Sequence, residues 1–402
     1  MNTNTINTTD TKQIPLDELP MSPFHWKVFV CSLGCPLIDG YAIGIIAIAL
    51  SLMGKQIQLT PTMSGLIGTA SLAGMFLGST FGGYLCDRLG RRKMFTYDFA
   101  FITIISAACF FVSNPIMLVI LRFLLGIGLG ADYPIAGPYL AEFAPKSKRG
   151  SLVGTLNAFW YVGYAASFII GFFMVGIGDT NWRWMLASTG ILTFIFLILR
   201  SMMPESPRWL MSQGRVDEAN KILKIFGDNV TLSSEDETEG HTSLANLFKG
   251  GYAKWVFFVA AFWSLQNIPI FGIGTFFPTV MEKMGFVGGN MQYLGPAIMN
   301  TLFLLGLIPV YFLVETWGRR PTIMWPFFVS GAALFILGYT ANMNMPILFV
   351  IIIFFIYGAF NNAMGAHCWI YPNELFPTHI RGTAMGIATG ATRIASNFSQ
   401  HI

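Results

Sequence analysis

Five ionisable residues stand inside runs that are otherwise apolar: Asp39, Asp98, Arg122, Asp132 and Arg393. A charge at the centre of a hydrocarbon layer costs about 3 kcal/mol on insertion scales, so each is expected to serve a purpose. A buried carboxylate suits proton carriage, because burial favours its neutral form and a nearby cation its charged form. Asp132 follows Arg122 by ten residues, about 15 Å along a helix, and so acts at a different depth. Pro134 frees a backbone carbonyl in the same turn. The plainer role for Asp132 is a helix-end partner for a neighbouring donor. Asp98, close to the basic stretch Arg88–Lys93, is expected to face that loop, and Arg393 to pair within the C-terminal part of the chain.

A second set suits a polar solute: Gln266, Asn267, Asn300, Asn361, His367 and Trp369. Amides donate and accept together, which matches hydroxyls and carboxylates, and an indole adds a flat apolar face with one donor. For each amide the alternative is a hydrogen bond between helices. A third set, Asp87, Arg91, Glu142, Arg149, Glu315, Arg319, Glu374 and Arg381, recurs at loop edges along the chain. One exposed ion pair is worth about 0–1 kcal/mol, but a network of several could bias a gate. The alternative is that these charges only set membrane topology.

The elements that must position these residues are membrane spans. Of 402 residues 54% are hydrophobic and 11% charged, whereas soluble chains carry about 25% charged residues. Apolar runs of the roughly 20 residues that a spanning helix needs occur near 28–53, 62–86, 94–113, 115–142, 152–178, 184–202, 254–281, 290–314, 322–341, 345–371 and 383–402. If the N-terminus is cytosolic, the short inside loops hold ten Lys and Arg and the outside loops three, which fits the excess of positive charge on the cytosolic side. The reading divides the chain into a polar tail (1–27), an N-terminal six-helix bundle (28–203), a connector (204–253) and a C-terminal bundle (254–402). No removable signal peptide is expected. Within the connector, 215–226 suits a short amphipathic helix, and the acidic Glu235-Asp236-Glu237 suits a mobile stretch. The five cysteines lie in or beside apolar runs without ligand spacing. They are expected to be buried thiols, with no disulfide, metal or cofactor.

An internal repeat relates the halves. Gly90-Arg91-Arg92 recurs as Gly318-Arg319-Arg320, and Glu142, Pro145, Arg149 and Gly150 recur as Glu374, Pro377, Arg381 and Gly382. Six spans per copy make the copies parallel.

Several motifs carry a resemblance. Gly82-Gly83-Tyr84-Leu85-Cys86-Asp87-Arg88-Leu89-Gly90-Arg91-Arg92-Lys93 resembles the signature loop of the major facilitator superfamily. The stretch from Arg122 to Gly130, Pro204-Glu205-Ser206-Pro207-Arg208-Trp209-Leu210, and Trp369 through Gly382 together resemble the sugar-porter signature. Gly130-Ala131-Asp132-Tyr133-Pro134-Ile135-Ala136 is similar to the fourth-span motif of phosphate:proton symporters. The resemblance implies an all-α membrane protein with the major facilitator fold, two parallel six-helix repeats of which eleven spans are present and the twelfth is missing. It also implies that Asp39 works against Arg122 and that Asp132 matches a proton-coupling carboxylate. Asp87 would act as a latch, and Trp369 would contact solute.

The expected activity is secondary transport of a small polar organic solute, a sugar, sugar acid or organic acid, by proton symport. The alternatives are a passive facilitator, a phosphate or aromatic-acid symporter, and a carrier-fold receptor. No phosphate-cradling loop is present, which speaks against ATP drive, and no covalent chemistry is expected. A small net charge of +4, spread as topology signals, speaks against nucleic acid. The expected partners are solute, protons and the lipid bilayer, with the chain monomeric in a bacterial inner membrane.

Overall fold

The computed structural model describes residues 13–57, 59–175, 178, 180–232, 251–283, 298, 300–306, 308, 312–313, 316–340, 343 and 345–399. Its long helices are α1 (Pro23–Gln56), α2 (Pro61–Leu89), α3 (Arg91–Ala108), α4 (Pro115–Phe143), α5 (Arg149–Val175) and α6 (Asn181–Ser201). Two short helices follow, α7 (Pro207–Ser212) and α8 (Val216–Leu223), then α9 (Ala253–Lys283), α10 (Arg319–Thr340), α11 (Ile347–Leu375) and α12 (Thr378–Ser399). Two-residue strands β1 (Ile14–Pro15) and β2 (Val230–Thr231) pair in parallel.

Many starts are written locally. Ser22, Thr60, Asn114 and Ser206 each precede a proline at the first helical position, where the missing N–H costs nothing and the polar cap accepts an open amide. Asn114 accepts from the Met117 amide at 2.8 Å. Gly90, at φ 108°, ends α2 and begins α3, and Gly318, at φ 81°, precedes α10. The repeated Gly-Arg-Arg thus turns the chain through a backbone conformation that favours glycine in both halves. Helices α3, α5, α6 and α10 begin three residues before their apolar runs, since a helix's first turn leaves its N–H groups open and tolerates polar loop residues.

Among the described residues, eight helices, α1–α6, α10 and α11, are long and apolar enough to cross a bilayer. Helices α9 and α12 occupy the expected seventh and eleventh spans; most of 290–314, Glu315, the acidic part of the connector and residues 400–402 lie outside the described residues. Ile191, Phe194, Phe328 and Phe335 are exposed on the outer surface, as lipid-facing positions are.

The described parts of the tail and the connector are joined to one another. β1 joins the tail to the connector, and Asp17 ion-pairs with Arg208 at 3.3 Å and Arg149 at 3.5 Å. Helix α2 packs on α4, α1 on α5 and α3 on α6, while α10 packs on α11 and α9 on α12. The halves meet through α2 with α12 and α5 with α11. At the first of these seams a methyl group on Gly83 would collide with the carbonyl oxygen of Gly382, and one on Gly386 with that of Ser79.

Candidate solute and proton site

Asp39 is buried in α1 and accepts hydrogen bonds from the Tyr133 hydroxyl of α4 and from Trp160 Nε1 of α5, the latter at 2.9 Å. Its Oδ2 also lies 3.6 Å from Arg393 Nη2 of α12. The guanidinium of Arg393 in turn sits over the Tyr133 ring, 4.7 Å from its centroid. Arg393 therefore pairs across the halves, not within the C-terminal one.

The expected Asp39–Arg122 pair is not formed. Arg122 reaches one helical turn beyond Asp39, donating to the Ala42 carbonyl at 3.1 Å and to Ser71 Oγ at 3.0 Å. Its Nε has no hydrogen-bond partner, and no described carboxylate lies within 4.0 Å of it.

Asp132 belongs to another cluster. It receives both terminal nitrogens of Arg200 of α6, at 2.7 and 2.8 Å, and that guanidinium is held between the rings of Phe95 and Phe99. Asp98 is buried against this pair and does not face the basic loop; its Oδ2 has no hydrogen-bond partner.

A cavity of about 580 Å³ is walled by residues of α1, α2, α5, α9 and α11 and by Arg122, Trp160, Tyr164, Asn300 and Asn361, and its wall residue Trp160 is the one that donates to Asp39. A recess of about 30 Å³ adjoins it through the shared wall residues Trp160 and Phe271, and is lined by Gln266, Asn267, Trp369 and Arg393. Trp369 stacks on Tyr133 with centroids 4.9 Å apart. The amides mostly satisfy one another: Gln266 Nε2 donates to Asn361 Oδ1 at 2.9 Å, and Asn157 Nδ2 to Asn362 Oδ1 at 2.6 Å across the halves. His367 lines neither space, because its Nε2 shares a 2.8 Å hydrogen bond with Thr322 of α10.

The opposite end, where the α2–α3 turn lies, is closed by charge. Arg91 contacts Asp87 at 2.6 Å and Glu142 at 3.2 Å, and donates to the Thr378 carbonyl of the other half at 3.0 Å. Arg381 reaches the same Glu142 oxygen at 3.7 Å. Asp87 also accepts from the Thr383 amide at 2.7 Å and hydroxyl at 2.6 Å. Arg319 and Glu374, 2.6 Å apart, pair within the C-terminal half and are partly exposed. Arg149 turns instead to Asp17 of the tail. Glu205 accepts the Arg92 amide at 2.9 Å, and burial pushes its carboxyl above the usual range.

The residues that sequence reasoning missed are Tyr133, Trp160, Thr383, Ser71 and Asp17. Tyr133 carries a usable signal, since it directly follows Asp132 and a buried hydroxyl needs a partner. The others are ordinary residues until the helices are assembled.

Geometry of this kind, with a cavity between two helical halves and a charged seal beneath it, defines a membrane carrier. The Sugar (and other) transporter family matches residues 27–400, and the chain belongs to that family of major facilitator transporters. It is a multi-pass membrane protein and not an enzyme. YaaU of Escherichia coli (strain K12), a relative named for metabolite transport, is 38% identical over 94% of this chain and 85% of its own. The inner membrane metabolite transport protein YgcS of the same organism is 34% identical over 97% and 86%. The niacin transporter NiaP of Acinetobacter baylyi (strain ATCC 33305 / BD413 / ADP1) is 27% identical over 94% and 86%. Among solved structures, the proton:xylose symporter XylE bound to 6-bromo-6-deoxy-D-glucose shares the fold with a TM-score of 0.81, at 24% identity over 94% of this chain and 87% of that one. Against XylE from E. coli in its inward open conformation the TM-score is 0.68, at 24% identity over 94% and 89%.

Proposed function

We propose that this chain is a secondary transporter that couples uptake of a small organic solute to protons by alternating access. The observation that carries the reading is the Asp39–Arg393 pair, which joins the two halves beside the recess that Arg393 lines. A solute drawing Trp160 or Arg393 toward itself weakens the hold on the carboxylate, and a proton then replaces the lost partner. The neutral, loaded site lets the halves rock, and the charged, empty one holds them.

Asp132, bound by both nitrogens of Arg200, serves in this reading as a fixed counter-charge for α6, leaving Asp39 as the proton carrier. The two bundles (28–203 and 254–402) are the moving bodies, and 204–253 links them. Asp87, Arg91, Glu142 and Arg381 form the cytosolic gate, with the N-terminus inside an inner membrane. The loop-charge asymmetry supports that orientation. Gln266, Asn267, Asn300, Asn361 and Trp369 form the solute-facing wall.

The test is solute-induced alkalinisation of the medium around energised vesicles. An alkaline pulse that a protonophore abolishes is expected. Saturable uptake with no pH change, indifferent to the protonophore, overturns proton coupling.

A further inference from the structure

We infer that the solute is an aromatic monocarboxylate, recognised by Arg122; this rests on the reading of the cavity as the solute site. A sugar presents hydroxyls in every direction and needs a matching set of donors and acceptors, since each one left unmade is costly. Several of the wall's polar groups are already engaged. Asn361 exchanges hydrogen bonds with Gln266 in both directions, Trp160 Nε1 is committed to Asp39, and Ser71 accepts from Arg122 while donating to Gly68.

Two buried groups in the wall stand unsatisfied: the Arg122 Nε and the Tyr357 hydroxyl. Arg122 also carries a full charge, and no described carboxylate answers it within 4.0 Å. A buried cation with no carboxylate in contact is poorly compensated, so an arriving anion would complete its contacts. The planar guanidinium matches a carboxylate.

The rest of the wall is built for a ring. Trp160 and Tyr164 stack at 5.4 Å with planes 15° apart, and Phe271, Phe303 and Phe354 face the same space. Aromatic walls favour offset and edge contacts with an aromatic guest. A volume of about 580 Å³ holds such a solute with room to turn. Tyr357 supplies one hydrogen bond to a ring substituent or ring nitrogen.

The experiment titrates the purified full chain in lipid nanodiscs with benzoate, benzamide and D-xylose, reading tryptophan fluorescence. Benzoate should bind saturably and benzamide, its neutral isostere, roughly tenfold or more weakly, the loss expected for a charge-assisted contact. Arg122→Lys should weaken benzoate while leaving benzamide unchanged. If that variant does not fold, the benzoate–benzamide ratio decides alone. Equal binding of benzoate and benzamide overturns the role of Arg122. Binding of D-xylose without benzoate overturns the solute class but leaves the carrier reading intact. Binding of none of the three overturns both the inference and the placement of the solute site in this cavity.

Discussion

Arg393 on α12 and Asp39 on α1 stand 3.6 Å apart, so the cation that answers this buried carboxylate comes from the opposite half of the chain. Asp39→Asn should abolish accumulation driven by a pH gradient and keep exchange of solute down its own gradient. Breaking one side of a buried pair also costs about 3–5 kcal/mol, so the variant should melt earlier. Counterflow and gradient-driven uptake, measured in the same vesicles, separate the two effects. Intact gradient-driven accumulation in this variant would remove Asp39 from coupling.

The gate divides unevenly among its charges. Glu142 touches Arg91 of its own half and Arg381 of the other, while Glu374 pairs with Arg319 inside one half. Glu142→Gln should therefore raise the accessibility of a cysteine reporter placed at the end of the α2–α3 turn, and Glu374→Gln should change it little, because a partly exposed pair contributes about 0–1 kcal/mol. Equal effects of the two substitutions would mean that the cross-half contact does not set the gate.

Asp132 and Arg200 form a two-point pair walled by Phe95 and Phe99. Asp132→Asn leaves that guanidinium buried without its counter-charge, so a loss of about 3–5 kcal/mol in stability is expected. Thermal unfolding in detergent checks this. A variant with unchanged melting and lost proton coupling would return Asp132 to the coupling machinery.

Docking of the tail should depend on pH. Burial pushes the Asp17 carboxyl up, but Arg208, its own backbone amide and Arg149 together hold it below the usual range. A depressed carboxyl pKa gives stability that is fully present above the unfolded value, about 3.9, and is lost as pH falls through the folded value. The Ile14 amide, which donates to the Asn229 carbonyl at 2.9 Å, should stay protected from hydrogen exchange at neutral pH and lose protection below about pH 4. In Asp17→Asn it should exchange faster at neutral pH. Unchanged protection in that variant would show that β1 pairing alone holds the tail.

Much of the fold is written in the chain. The Gly-Arg-Arg repeat, the polar residues before Pro23, Pro61 and Pro115, and the apolar runs mark most helix starts, because those signals act within one turn. Partners across helices were less legible. The family resemblance implies an Asp39–Arg122 pair, yet Arg122 is drawn to the Ala42 carbonyl and Ser71, and Arg393, more than 350 residues away in sequence, takes its place. Residue type places His367 among the solute-facing groups; rotation about the α11 axis turns it to Thr322 instead. A sequence fixes which faces are polar but not which neighbour each face meets.

The contact of Gly83 with Gly382 and of Gly386 with Ser79 puts bare backbone against bare backbone. Long side chains at a seam can stretch and follow a small separation, so their attraction fades gradually. Peptide planes in contact have no such slack, and a separation of about 1 Å already removes up to about half of the dispersion gain. The seal at this end should therefore behave as a snap, with two distance populations and few between them when α2 and α12 carry fluorophores observed one molecule at a time.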